Sequence, residues 1–247
     1  MMKTFCYIIF FVLTALALGM TGCISDEVST SSADVLAFSA DTLKFDTVIT
    51  SQGTATKQFI IYNRGKKMIN VSSIKVASKS EAKFYLNVDG VKGDEFHDVE
   101  IRGKDSVYVF VECYIDPTGH DEPVAVDDRI DFVTNGVQQS VTLTAWAQDV
   151  ERMVGDTIKA DARLSGVKPY LIYDTLVVNE GVTLTIDPGV TLLFHDKAAL
   201  KVNGTLKALG SMDKNIEMRG DRLDHVVGKI GYDIMSAQWG GVTFGEH

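Results

Sequence analysis

The sequence predicts an all-β protein built from two different arrangements of strands behind an N-terminal export signal. Between residues 36 and 149, short runs of alternating apolar and polar residues recur between turn-forming residues, which is the pattern of half-buried strands. Between residues 150 and 247 the runs become shorter, are separated by Gly or Asn, and repeat at a fixed spacing. That repetition indicates a stack of similar structural units.

The first 22 residues have the composition of a cleavable secretory signal. Lys3 makes the start basic, and a mostly apolar stretch from Thr4 to Leu18 follows it. This stretch is shorter than the roughly 20 apolar residues that a helix needs to cross a bilayer. A basic start, a short apolar core and small residues before a cleavage point are the features of an export signal. We therefore expect residues 1–22 to be removed from the mature protein.

The end of the signal carries the first family resemblance. Met20-Thr21-Gly22-Cys23 resembles the lipobox read by lipoprotein signal peptidase, although Met20 stands where the family usually has Leu. The resemblance implies cleavage of the Gly22–Cys23 bond and lipidation of Cys23 with more than one acyl chain, which stable anchoring requires. Two alternatives stay open at this point, an ordinary signal peptide with an unrelated cysteine and an uncleaved anchor.

The residues directly behind Cys23 bear on location. Ile24-Ser25-Asp26-Glu27 resembles the surface-export signal of Bacteroidota-type lipoproteins, which implies an outer-membrane protein that faces outward. The periplasmic face of the outer membrane is the alternative, because a solvated linker can also be acidic. Residues 23–35 as a whole are rich in Ser, Thr and acidic residues, and we expect them to form a flexible tether.

The charge and the cysteines of the chain exclude several kinds of partner and site. The net charge of −9 argues against nucleic-acid binding, which requires a basic surface. Of the 3 cysteines, Cys6 lies in the signal and Cys23 carries the expected lipid, so Cys113 is left alone. A disulfide framework and a thiolate metal site therefore cannot form within the mature chain. No cofactor fingerprint is present, and we expect no cofactor.

About seven or eight short strands over residues 36–149 predict an immunoglobulin-like β-sandwich. The strongest strand is Val107–Ile115, which places Val and Cys113 on one face and Tyr108, Phe110 and Tyr114 on the other. Two largely apolar faces predict that this strand is covered on both sides. Cys113 then points into the core as a small, inert apolar residue.

A hairpin and a set of short motifs make this segment more specific. Thr134-Asn135-Gly136 joins the last two strands, because Asn-Gly adopts the positive φ angles that a tight hairpin needs. The runs Asp41–Asp46 and Tyr62–Gly65, with Gly53 between them, resemble bacterial Ig-like domains related to the sperm-protein and Hydin type. The resemblance implies a structural or interaction module and no chemistry.

The segment from 150 to 247 predicts the coils of a solenoid. Leu176 and Leu200 are 24 positions apart, and so are Val178 and Val202. A repeat of this size fits one coil of a parallel β-helix, in which equivalent residues stack on one another. A second small sandwich is the alternative interpretation.

Three phrases in this segment carry a further resemblance. The phrases 181–184 (GVTL), 187–190 (DPGV) and 238–242 (QWGGV) resemble the start of the right-handed parallel β-helix of Bacteroidota-type lipoproteins. Proteins of that family usually continue for more coils. We therefore expect either that the complete protein extends beyond His247 or that another chain covers the end of the coils.

The chain shows no motif of a known catalytic or metal site, and its five histidines lack the spacing of metal ligands. The most polar cluster of the solenoid opens an insertion over residues 221–237. Asp221, Arg222 and Asp224 are the candidate glycan contacts, because many β-helix proteins act on polysaccharides with carboxylates or a basic residue in a groove. A loop that bulges from the coils is the alternative explanation of the cluster.

These features favour a non-enzymatic function. We expect a lipid-anchored envelope protein, exposed at the cell surface, that binds or scaffolds through two β modules. Its expected partners are the membrane, through the lipid, and a glycan or another envelope protein. The alternative is a polysaccharide lyase or glycoside hydrolase of the β-helix type, or a truncated remnant of one, with Asp221 and Asp224 facing a groove at the separation of glycosidase carboxylates.

Overall fold

The computed structural model describes residues 27–227 and 230–245. The predicted signal and the predicted lipidation site, Cys23, lie outside these residues. The all-β prediction is confirmed, because the described residues form strands and one short 3-10 helix, Tyr232–Ile234. Within the described ranges, no helix is long and apolar enough to cross a membrane.

The strands β1 to β11 form two sheets that face each other, and we call this unit the sandwich. The strands are β1 (Ala37–Phe38), β2 (Thr42–Ile49), β3 (Lys57–Tyr62), β4 (Ile69–Val76), β5 (Ala82–Val88), β6 (Val91–Gly93), β7 (Glu95–Phe96), β8 (Val99–Ile101), β9 (Ser106–Ile115), β10 (Val124–Thr134) and β11 (Val137–Gln148). One sheet has the order β1-β3-β9-β5-β6, and the other has the order β2-β11-β10-β4-β7 with β8 also paired to β4. The pairing of β2 with β11 is parallel.

The alternation of apolar residues along each strand fills the space between the two sheets. Phe59 of β3 and Phe132 of β10 belong to opposite sheets, and their ring centroids lie 6.2 Å apart at 89°. Cys113 of β9 is 0% exposed, so the prediction that it points into the core is confirmed. Burial raises the pKa of the Cys113 thiol to about 12, and a thiol that stays protonated is a poor nucleophile.

The hairpin between β10 and β11 is confirmed as well. Thr134 pairs with Val137 across the turn. Asn135 and Gly136 have φ angles of 50° and 78°, so both central residues are left-handed, as a type I′ turn requires. The turn sets the register of the longest pair of strands in the sandwich.

The prediction that β9 is covered on both sides is wrong. Tyr108 on its outer face is 47% exposed, and Tyr85 of the neighbouring β5 is 50% exposed. The two sheets pack through their inner faces, which leaves the outer aromatic face of β9 to the solvent. Large apolar residues on both faces of a strand predict two covered faces, but an aromatic face that is exposed to solvent has the same sequence pattern.

Residues 27–35, the described part of the expected flexible tether, are docked on the sandwich instead. Val28 forms a β-bridge with Met68, and the N–H of Ser29 donates to the Met68 carbonyl at 2.8 Å. The amide of Asn135 donates to the carbonyl of Ser31 at 3.0 Å. Composition did not predict this docking because residues 27–35 form these bonds with main-chain groups, which every residue carries.

From Glu151 onward the strands form three parallel sheets that we call the stack. The strands of the stack and its insertion are β12 (Glu151–Val154), β13 (Thr157–Ile158), β14 (Ala162–Leu164), β15 (Tyr170–Tyr173), β16 (Thr175–Val178), β17 (Thr183–Ile186), β18 (Thr191–Phe194), β19 (Ala199–Val202), β20 (Thr205–Ala208), β21 (Glu217–Gly220), β22 (His225–Val227), β23 (Ile230–Gly231) and β24 (Val242–Phe244). The three sheets have the orders β12-β15-β18-β21, β13-β16-β19-β24 and β14-β17-β20. Each of the first three coils therefore contributes one strand to each sheet, and the next coil adds β21 and β24 to the first two.

The register of the stack confirms the 24-residue spacing. Leu176 pairs with Leu200, and Val178 pairs with Val202, in the parallel ladder between β16 and β19. All four side chains are at most 1% exposed. Like residues thus form continuous apolar columns, and full burial of each side chain stabilises the fold by about 1.5–3 kcal/mol.

Replacing Leu200 with Ala should lower the free energy of unfolding by about 2–5 kcal/mol, because it leaves a cavity in a filled column. The side chain is 0% exposed and lies between Leu176 and Val242 in the ladder. Urea denaturation of the chain from residue 24 onward, followed by circular dichroism, measures the loss. The matched control is Lys201→Ala on the same strand, where the side chain is exposed and the loss should stay below about 0.5 kcal/mol. Equal losses would contradict the register.

Candidate functional site

An insertion between β21 and β24 carries the predicted glycan-contact residues. Leu176 pairs with Leu200, 24 positions later, whereas Leu200 pairs with Val242, 42 positions later. The added length holds the antiparallel hairpin of β22 and β23 and the 3-10 helix. Asp221, Arg222 and Asp224 lie at the start of this insertion, as the sequence predicts.

The register of the stack brings Asp221 next to His195. Phe194 pairs with Gly220 in the ladder between β18 and β21, so the residues that follow each of them meet. His195 Nδ1 lies 2.7 Å from Asp221 Oδ2, and the N–H of Asp221 donates to the Phe194 carbonyl at 3.0 Å. The ring of Tyr173 packs 4.8 Å from the imidazole. Asp221 is therefore anchored through both its main chain and its carboxylate.

Arg222 and Asp224 form a bidentate ion pair. Arg222 Nε lies 2.8 Å from Asp224 Oδ1, and Arg222 Nη2 lies 2.9 Å from Asp224 Oδ2. The guanidinium carbon also lies 4.1 Å from the centroid of the Tyr232 ring, within the range of a cation–π contact. This fork fixes both side chains in one geometry.

The protonation state of Asp224 follows from this pairing. Partial burial by itself raises the pKa of the carboxyl, but the hydrogen bond and the charge of Arg222 outweigh it, so the pKa of Asp224 is lowered. The same hydrogen bond raises the pKa of the Arg222 guanidinium. Asp224 is therefore a carboxylate at neutral pH.

The insertion also contacts the sandwich through polar side chains. His225 Nδ1 lies 3.0 Å from Asp46 Oδ2 of β2. Lys57 of β3 lies 3.9 Å from the same oxygen. Asp46 has a φ of 56°, an uncommon left-handed conformation for a residue other than Gly. The insertion is thus joined to the sandwich as well as to its own coil.

An apolar cluster lies beside these charges at the junction of the two units. Ile49, at the end of β2, shares a buried cluster with Leu171 of β15 and Leu193 of β18, and Leu223 of the insertion packs against it. The Arg152 guanidinium of β12 donates to the carbonyl of Thr50. The junction therefore combines apolar burial with hydrogen bonds between the sandwich and the stack.

A cleft of about 290 Å³ lies between the sandwich and the start of the insertion, and we call it the junction cleft. Its lining includes Phe45, Val48 and Lys57 from the sandwich and His195, Asp221 and Asp224 from the stack side. A wider depression of about 740 Å³ adjoins it and includes Asp46, Lys57, Arg222, Asp224 and Tyr232. The candidate residues therefore face the sandwich.

The chemistry available in the junction cleft is limited by these pairings. A glycosidase needs one carboxyl that is protonated and able to donate a proton, which requires a raised pKa. Asp224 has a lowered pKa, and Asp221 is engaged by His195. Within the described residues, no group of three or more His, Cys, Asp or Glu side chains is placed to hold a metal ion. The arrangement is suited to holding the insertion in place.

Sequence reasoning identified three residues of this cluster and missed its partners. Asp46, Lys57, His195, His225 and Tyr232 come from four separate stretches of the chain. The pairing of His195 with Asp221 has a sequence signal, because both residues directly follow paired strands of successive coils. The contacts of Asp46 have no such signal, since they depend on how the sandwich packs against the stack.

Comparison with known proteins identifies no family. No family model matches the chain. Protein bark beetle of Drosophila melanogaster is 34% identical over 88 residues, which is 35% of this chain and 3% of that protein. The chain thus corresponds to a very small part of the curated relative that it matches.

Solved structures show only weak likeness to this chain. A protein of unknown function from Porphyromonas gingivalis has a TM-score of 0.34 at 12% identity, with 51% of this chain and 50% of that chain covered. A family 123 glycoside hydrolase from Clostridium perfringens has a TM-score of 0.33 at 5% identity, with 49% and 30% covered. The Escherichia coli chaperone DraB has a TM-score of 0.31 at 12% identity, with 47% and 55% covered. These values carry no functional conclusion.

The ion pair of Arg222 with Asp224 should show a coupling free energy of about 1 kcal/mol in a double-mutant cycle of the two Ala variants, because the fork is partly buried. Urea denaturation of the four chains measures it. The control is Lys83 with Asp116, a pair 2.7 Å apart whose side chains are 52% and 55% exposed. There the coupling should be smaller, because solvent screens an exposed pair more strongly. Additive losses at Arg222 and Asp224 would contradict the assignment.

The pair of Arg222 and Asp224 also makes the free energy of unfolding depend on pH, in a direction that the pKa of Asp224 determines. The pKa of Asp224 is lower in the folded than in the unfolded chain, so its contribution to stability is fully present above the unfolded value of about 3.9. The contribution is lost as the pH falls through the folded pKa. Denaturation at pH 7 and at pH 3 should therefore differ less for Asp224→Asn than for the wild type. An identical difference in both chains would contradict the lowered pKa.

Proposed function

We propose that the chain is a lipid-anchored protein of the bacterial cell envelope that acts as a non-enzymatic binding or scaffolding module. In this proposal it is a Bacteroidota-type surface lipoprotein with an Ig-like domain followed by the first coils of a right-handed parallel β-helix. The observation that carries the non-enzymatic part is the state of the candidate carboxylates. Asp221 is hydrogen-bonded to His195, and Asp224 is held in an ion pair with Arg222.

The anchor of this proposal is Cys23, which ends the sequence Met20-Thr21-Gly22-Cys23. An acylated cysteine would attach the chain to the outer membrane, and the acidic residues that follow it support display at the cell surface. The periplasmic face is the alternative location. The main-chain bond of Ser29 to Met68 supports a short connection, because the four Cα–Cα steps from Cys23 to Glu27 extend at most about 14 Å.

The partners in this proposal are the membrane, through the lipid, and a glycan or another envelope protein. A two-sheet unit joined to a parallel stack offers broad surfaces for such partners. The net charge of −9 is unfavourable for binding to nucleic acid. The proposal includes no cofactor.

The enzymatic alternative is a polysaccharide lyase or glycoside hydrolase of the β-helix type, or a truncated remnant of one. Asp221 and Asp224 line the junction cleft, which is the observation in its favour. For the alternative to hold, one of them would have to leave its partner and become protonated. The lowered pKa of Asp224 opposes that step at this residue.

Feeding a palmitate analogue to cells that express the chain should label the wild-type protein, and Cys23→Ala should lose both the label and the membrane association. The matched control is Cys113→Ala, which should keep the label because Cys113 is buried in the sandwich. In-gel detection of the analogue measures the outcome. An unlabelled wild-type chain, or label that persists in Cys23→Ala, would contradict the proposal that the chain is a lipoprotein.

A panel of polysaccharides assayed for both binding and cleavage separates the scaffold from the enzyme. We expect no new reducing ends and no unsaturated sugar products, because the lowered pKa of Asp224 keeps it a carboxylate and Asp221 is already hydrogen-bonded to His195. Cleavage that disappears in Asp221→Ala or Asp224→Ala would establish the enzymatic alternative. Asp116→Ala, an exposed aspartate of the sandwich, is the matched control and should have no effect on cleavage.

A further inference from the structure

The outer face of the five-stranded sheet carries a row of aromatic side chains. In β9 the residues Val107, Val109 and Val111 point inward, while Tyr108, Phe110, Glu112 and Tyr114 alternate with them. Tyr108 is 47% exposed, and Tyr85 on the neighbouring β5 is 50% exposed. The six residue steps from Tyr108 to Tyr114 extend about 20 Å along an antiparallel strand, so the row is long enough for several units of a polymer. We call this surface the aromatic face.

The ladder places polar groups between these rings. Phe110 lies between Gln58 of β3 and Asn87 of β5. Glu112 lies opposite Tyr85, and Tyr114 lies opposite Lys83. Aromatic rings and hydrogen-bonding side chains therefore alternate on this surface.

The three aromatic rings of β9 are held by contacts, two of them with each other and the third with a lysine. The rings of Tyr108 and Phe110 are 6.2 Å apart and inclined by 19°, so their planes are nearly parallel. Lys83 Nζ lies 5.5 Å from the centroid of the Tyr114 ring. Side chains that are already held in place lose little conformational entropy when a ligand binds.

A depression adjoins the row of rings. It has a volume of about 330 Å³ and is lined by Tyr85, Asn87, Lys92, Asp94 and Glu112 among others. Its walls combine one aromatic ring with amide, carboxylate and ammonium groups. A ligand that stacks along β9 would find hydrogen-bond donors and acceptors beside it.

The charges of the aromatic face favour an uncharged ligand. Lys83 is paired with Asp116 at 2.7 Å, and Lys92 shares the depression with Asp94 and Glu112. Positive and negative groups are thus mixed on this face of a chain whose net charge is −9. Neither a polyanion nor a polycation is matched by such a surface.

The distribution of polar groups favours a saccharide over a protein. The centre of a protein interface is depleted of Lys and Glu, because burial under an apolar partner removes their water. Here Glu112 and Lys83 stand among the rings. A sugar offers C–H faces to the rings and hydroxyl groups to the charged and amide side chains, so both kinds of group are matched at once.

We propose that the aromatic face binds a neutral polysaccharide chain that lies along β9, with Tyr85, Tyr108, Phe110 and Tyr114 stacking against its sugar rings. The inference deepens the proposed binding function, on which it rests, by naming its surface and its ligand class. The site is separate from the junction cleft and from Asp221, Arg222 and Asp224. No chemical step takes place at it.

The test uses the chain from residue 24 onward and neutral polysaccharides of known composition. Affinity electrophoresis in gels that contain a soluble β-glucan, xylan, mannan or starch, and pull-down on insoluble cellulose and chitin, should retain the wild type on at least one polymer. Tyr108→Ala and Tyr85→Ala should each weaken that binding about tenfold, because each removes one stacked ring. Both side chains are half exposed, so the variants should keep the wild-type circular dichroism spectrum and unfolding midpoint.

The matched control is Trp146→Ala on β11 of the other sheet, where the side chain is 53% exposed. Binding should be unchanged in this variant. The inference is overturned if the wild type binds none of these polymers, or if Trp146→Ala weakens binding as much as Tyr108→Ala does. Self-association of the wild type that Tyr108→Ala abolishes, with no polymer bound, would assign the face to a protein partner instead. Palmitate labelling of Cys23 and the absence of cleavage are measured separately. A negative result for polysaccharide binding at the aromatic face therefore does not contradict the proposed scaffolding function.

Discussion

The junction between the sandwich and the stack depends on a small apolar cluster formed by Ile49, Leu171 and Leu193. Each unit has its own core, but this cluster removes apolar surface of both from water and brings β2 next to β15 and β18. The bonds of Arg152 to Thr50 and of Gln52 to Tyr173 then fix the orientation that burial alone leaves undirected, because the hydrophobic effect has no preferred direction.

The insertion at residues 221–237 is held in place through this junction. His225 reaches Asp46 of the sandwich, while Asp221 is held by His195 of the stack. The polar cluster that the sequence offers as candidate glycan contacts therefore takes part in contacts that brace the two β units against each other. In the proposed binding function, the brace would hold the aromatic face at a fixed position relative to the stack.

Much of the fold could be predicted from the sequence, because local rules determine it. The spacing of Leu176 and Leu200 gave the register of two coils, and Asn135-Gly136 gave a hairpin. The outer face of β9 could not be predicted, since Tyr108 and Phe110 have the same pattern whether a third layer covers them or water does. The partners of Asp46 depend on tertiary packing across the junction, to which no periodicity points.

The distance between the sandwich and the stack tests most directly whether the junction holds the two units together. Spin labels at Gln138→Cys in the sandwich and Lys207→Cys in the stack, both exposed positions, can be placed in the chain from residue 24 onward. Cys113 stays unlabelled because it is buried. Double electron–electron resonance should give one narrow distance distribution in the wild type and a broader one in Ile49→Ala. A broad distribution in the wild-type chain would contradict the account, because the two units would then move independently.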